Sequence, residues 1–177
     1  MNSKEMSAFV RPNLDLTLCI AHGYGLCMGV SWPWVAKDSN ATADMVLHTV
    51  HTVAEAEARK RTQFELRSTD LYLQCDNTPR ETKNMTLLRL LSSMVSAHLI
   101  HRAQLQCLQS GHSHEDVDQA FSLVSAAIQD ETELEDPAAF CACLERLLSR
   151  NNFRPLECER WVKLVTCSRE WNLGLQV

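Results

Sequence analysis

The stretch "TDLYLQCDNTPRE", Thr69 to Glu81, decides the fold class. Leu71, Leu73 and Cys75 alternate with Tyr72 and Gln74, the period of a half-buried strand, and Asp76 is its last or next residue. Behind it, Thr78, Pro79 and Glu81 fit the N-cap, N1 and N3 positions of a helix, a capping box with the preferred proline. A strand that passes through a short polar turn into a helix is the repeating step of an α/β sheet.

Working outward, the predicted helix runs to about Leu99 and turns Leu87, Leu91, Met94, Val95 and His98 inward. "AQLQCLQS" then alternates again, with Leu105, Cys107 and Gln109 set against Leu108, and stops at Gly111. Beyond it, Val117, Phe121, Val124 and Ile128 share one helical face. Asp136 and Pro137 cap a further helix bearing Phe140, Leu144, Leu147 and Leu148, and "LECERWVKLV" reads as a last helix.

Upstream, "LDLTLCIAHGYGLCMGVSW" from Leu14 reads as a β-hairpin turning at "HGYG", where Gly23 and Gly25 allow a positive φ. "KDSNATADMVLHTVHTVAEAEARKR" follows as a helix, with Asp, Ser and Asn as cap candidates and Val46, Val50, Val53 and Ala54 on one stripe. The order is therefore β, β, α, β, α, β, α and then helices, an α/β chain with one mixed β-sheet flanked by helices. The main domain spans residues 11–130; the acidic run from Asp130 to Asp136 leads to a C-terminal helical appendage of the same unit, 131–177.

Composition narrows the function classes. A chain of 177 residues, 45% apolar and 22% charged, suits one globular domain. A formal charge of -5 excludes an overall basic field, so binding to DNA would need a local patch. The eight cysteines are spread out, and Cys19, Cys75 and Cys107 sit in apolar runs as small hydrophobes. "CAC" at Cys141 to Cys143 lacks the spacing of a zinc site and suits helix packing. "MNSKEMSAFV" has no secretory h-region and no apolar run reaches membrane-spanning length, so the chain is expected to be intracellular, reduced and not secreted.

Two acidic positions share a structural address. Asp76 ends one strand and "GHSHEDVD", Gly111 to Asp118, follows the next, at the sheet edge where α/β proteins bind ligands. Asp118, with Asp116 beside it, is expected to look toward Asp76. Carboxylates converging from separate elements suit Mg²⁺ or Mn²⁺ and phosphodiester chemistry, and no organic cofactor is implied. His112, His114 and Glu115 would stand beside the metal or face phosphate, and Arg80, Lys83 and Arg89 are candidate phosphate contacts.

A plainer reading accompanies each of these. Acids in a first turn complement the helix dipole, Ser113 with Asp116 resembles a capping box, Asp-Asn before a helix is a common turn, and exposed basic residues are often simply solvated. The two histidines add nothing to a cap. His112-x-His114-x-Asp116 is similar to the metallo-β-lactamase zinc signature, yet Val117 stands where a histidine should follow, and no histidine occurs after His114. His22, His48, His51, His98 and His101 form no zinc spacing.

The motifs "RP" (Arg11, Pro12), "AHGYG" (Ala21 to Gly25), "KDSN" (Lys37 to Asn40), "QCDNTPRETKN" (Gln74 to Asn84) and "GHSHEDVDQAF" (Gly111 to Phe121) resemble an uncharacterised family of integrase-like, transposase-derived proteins with an RNase H-like core. The resemblance implies that Asp76 is the second catalytic aspartate and Asp118 or Asp116 the third acid. The first strand of such a core, central in its sheet and bearing the first aspartate, finds no match before Arg11. Its absence would leave two strands with unpaired edges. The hairpin then re-pairs with the Tyr72 strand, a partner chain fills the gap, or the chain is a fragment of a longer product.

The expectation is thus an RNase H-like core lacking its first strand, with C-terminal helices. It would be a truncated relative of DDE-type transposases and integrases, catalytically incomplete, with DNA as a possible partner and the nucleus as its place if it acts on DNA. The alternative is a domesticated, non-catalytic protein-interaction domain working through the C-terminal helices that carry Trp161 and Trp171.

Overall fold

The computed structural model describes residues 15–31, 38–60, 65–76, 78–79, 81–108, 116–129, 137–149 and 161–167. The predicted hairpin is present. Strands β1 (Asp15–Ala21) and β2 (Gly25–Ser31) pair antiparallel, from Asp15 opposite Ser31 to Ala21 opposite Gly25. Of the two glycines expected to turn the chain, only Gly23 has a positive φ, 79°, while Gly25 opens β2 as an ordinary strand residue. Tyr24 N–H donates to the carbonyl of Ala21 at 2.9 Å and closes the turn.

Helix α1 (Ser39–Lys60) begins at an aspartate cap, where the Asp38 carboxylate accepts from the backbone of Asn40 at 2.9 Å and Ala41 at 3.2 Å. Val46 is buried as expected, but Val50, Val53 and Ala54 are only half-buried. The fully buried stripe is rotated to Ala43, Met45, Thr49 and Thr52. The threonines tolerate burial because their hydroxyls donate to the carbonyls of Met45 (2.8 Å) and His48 (2.9 Å) one turn earlier.

A short 3₁₀ turn (Leu66–Ser68) leads into β3 (Asp70–Cys75), which pairs parallel with β4 (Arg102–Cys107) from Asp70 opposite Arg102 to Cys75 opposite Cys107. Between them, helix α2 starts at Met85, not at the predicted Pro79. Asn84 is its N-cap, and its side chain accepts from Leu87 N–H at 3.1 Å. Thr78 is not the cap: its hydroxyl donates to the Asp76 carboxylate, while its carbonyl accepts from Thr82 and Lys83 N–H at 3.0 Å each. The Thr78 carbonyl thus anchors a turn ahead of the helix.

Leu87, Leu91 and Met94 are buried as expected. His98 is not inward: α2 ends at Ser96, and His98 is exposed with φ 55°. Leu99 N–H donates to Met94 and His98 N–H to Val95, the paired bonds of a helix end with a left-handed residue, here His98. Ile100 beyond the turn is buried instead.

Helices α3 (Asp116–Gln129) and α4 (Pro137–Ser149) follow. Val124 and Ala120 of α3 and Leu144 of α4 share one core with Leu26, Met28 and Val30 of β2, and Ile128, Phe140 and Cys141 pack against it. Cys143 is buried, so the "CAC" residues lie at helix packing positions. Cys19, Cys27, Cys75, Cys107, Cys141 and Cys143 carry free thiols.

Of the stretch expected to be a last helix, residues 156–160 lie outside the described residues and 161–165 belong instead to β5 (Trp161–Cys167), parallel to β2 from Gly25 opposite Trp161 to Ser31 opposite Cys167. Val162, Val165 and Thr166 favour a strand, and pairing with a buried neighbour outweighs the local helical pattern. β2 therefore has a strand on both sides and is buried along its whole length.

The strands do not form the single mixed sheet expected from their order. They make a three-stranded sheet, β1-β2-β5, and a two-stranded sheet, β3-β4. β1 is not hydrogen-bonded to β3, so the hairpin has not re-paired with the Tyr72 strand. Among the described residues β1 pairs only with β2, and Leu16 to Ile20 line a cleft. Helix α1 ties the sheets together, packing on β1, β2 and α2, while α2 packs on β4. Among the described residues no helix is long and apolar enough to cross a membrane.

Candidate functional site

The cleft between the two sheets has a volume of about 730 Å³, in the range of ligand-binding cavities. One wall is β1, from Leu16 to Ile20, and the other is β3, from Tyr72 to Cys75, with Gln104 and Gln106 of β4. Val46 of α1 and Val117 and Phe121 of α3 add apolar surface. Asp76, Glu81, Asp116 and Asp118 bring four carboxylates to its lining, with His22 beside them.

These positions follow from local structure. Asp76 comes directly after β3, and its carboxylate accepts hydroxyl bonds from Thr78 and from Thr82, the latter at 2.8 Å. The Thr82 hydroxyl also lies 2.9 Å from the Asp76 carbonyl, so Asp76 organises the turn before α2. Asp116 and Asp118 belong to the first turn of α3, where carboxylates complement the helix dipole. His22, at the tip of the hairpin, has its Nδ1 3.7 Å from Asp116 Oδ2, with both side chains largely exposed.

Asp76, Asp116 and Asp118, predicted from separate motifs, thus line one cleft. Among the described residues no group of three or more His, Cys, Asp and Glu side chains is arranged to hold an ion. Both carboxylate oxygens of Asp76 are already engaged by threonine hydroxyls. Lys83 and Arg89 are exposed and outside the lining of the cleft. Arg80, His112, His114 and Glu115 lie outside the described residues.

Sequence reasoning passed over four contributors. His22 belongs to no zinc spacing, and only the fold brings the hairpin tip to α3. Tyr72, Gln104 and Gln106 entered as strand pattern alone, although a polar face repeated on two paired strands is itself a signal of an uncovered sheet surface. The cleft also holds Cys19, whose thiol burial pushes up to about 11, against a smaller lowering by the Thr49 hydroxyl.

At the opposite end of β3, Asp70 accepts from Arg102 at 2.7 Å and lies 2.8 Å from His101 Nδ1. Arg102 also donates to the Tyr72 hydroxyl at 2.6 Å and lies over that ring. The His101 hydrogen bond, with Arg102 adding to it, holds the Asp70 carboxyl below its ordinary range.

A family model described as "Domain of unknown function (DUF7869)" matches residues 4–152. No curated protein and no solved structure matches the chain.

Proposed function

Because the chain belongs to the DUF7869 family, whose description assigns no activity, its function has to come from the cleft, and we propose an RNase H-like domain related to DDE-type transposases and integrases that does not by itself cut or join DNA. The observation that carries this reading is the meeting of Asp76, after β3, with Asp116 and Asp118, at the start of α3, in one cleft. Strand ends and helix starts on one sheet edge are where α/β proteins keep their chemistry. In a complete relative, Asp76 and Asp118 would hold Mg²⁺ or Mn²⁺, which supplies charge neutralisation to phosphodiester chemistry. In this chain the described carboxylates form no group of three, and Asp76 is committed to its turn. The test is incubation of the purified chain with Mg²⁺ or Mn²⁺ and both single-stranded and duplex DNA. No cleavage or strand joining is expected, and either one sinks the proposal of inactivity.

A second reading is supported by the two strands that flank the cleft, each paired on one side only among the described residues. It is a non-catalytic domain that binds protein, as domesticated descendants of an enzyme would.

A further inference from the structure

Resting on that second reading, we propose that the cleft binds an extended segment of another polypeptide by strand addition, and that this segment is apolar at alternate positions with lysine or arginine at the end that lies beside Asp76 and Asp116. Successive residues of a strand point to opposite faces. A cavity over one face of β1 would therefore touch every second residue, yet all five residues from Leu16 to Ile20 line this one. Among the described residues β1 is paired on its β2 side alone, so its other edge presents main-chain groups toward the cleft. The same holds for β3 from Tyr72 onward. An open strand edge is a template for another strand, and one added between β1 and β3 would join the two sheets into one.

The chemistry of the lining selects the guest. Leu16, Leu18 and Ile20 offer apolar contacts to alternate side chains, and Gln104 and Gln106 can bond main-chain amides. Charge is one-sided: four carboxylates line the cleft, against His22. That field repels a nucleic-acid backbone and attracts a cationic peptide end.

The experiment is fluorescence anisotropy of the full chain with a labelled peptide of alternating valine and threonine flanked by lysines. Two controls go with it: the same peptide flanked by glutamates, and the lysine peptide with alternate amides N-methylated, which removes strand donors without changing charge. Expected are saturable binding of the lysine peptide, about tenfold weaker binding of the glutamate form, and loss of binding on N-methylation. No saturable binding of the lysine peptide, or equal binding of either control, overturns the proposal. DNA cleavage by the chain would sink the proposal of inactivity and leave this result standing, so the two failures are distinguishable.

Discussion

The hydroxyl of Thr82 donates to Oδ1 of Asp76 at 2.8 Å, across a turn that also engages Thr78. A carboxylate used in this way supports the fold. Asp76→Asn, measured by urea denaturation in the presence of EDTA, is expected to cost about 0.5–1.5 kcal/mol, the worth of an ordinary hydrogen bond. An unchanged or raised midpoint would show that Asp76 is not needed for the turn.

Asn84, not Thr78, caps α2. Asn84→Ala should therefore destabilise the protein by about 1 kcal/mol, read from the same denaturation curves.

Leu144 of α4 is fully buried in the core it shares with β2 and α3. Leu144→Ala should cost about 2–5 kcal/mol. A loss under about 1 kcal/mol would mean that α4 packs only loosely on the rest.

The Cys19 thiol stays protonated to about pH 11 in the folded chain, against an ordinary value of 9.0. Between those values the unfolded chain loses its proton first, so stability should fall as pH rises through that window. Site-resolved alkylation by iodoacetamide checks the same point: at pH 9 Cys19 should react more slowly in the native protein than in urea. Equal rates would count against a buried thiol.

Asp70 has the opposite sign. Its carboxyl is held below the ordinary value of 3.8 by His101 and Arg102, so its contribution is present above that pH and is lost as the pH falls through the depressed value. In an NMR titration, Arg102→Ala should move the Asp70 midpoint upward. A midpoint that does not move would mean that Arg102 contributes nothing at this exposed pair.

Much of the fold was legible because it depends on local pattern. The alternation of Leu71, Leu73 and Cys75, the "HGYG" turn and the Val117, Phe121, Val124 and Ile128 face each report an element within its own residues. The misreadings have a common cause. Thr78 has the residue type of a cap but sits in a turn with Asp76 ahead of the helix, and residues 161–165, at the end of an expected helix, pair instead with β2. For the site, Asp76 and Asp118 were legible as acids at element ends, whereas the approach of His22 to Asp116 left no trace in spacing.

The sequence by itself determined which segments are strands and helices in the interior of the chain, because hydrophobic period and turn chemistry act over a few residues. It also determined membership in its family, since the match covers residues 4–152. Only the tertiary structure decided how the strands group. Strand pairing is made by contacts between residues far apart in the chain, and a run such as Leu16 to Ile20 carries no record of whether its outer edge meets another strand or, as here, a cleft.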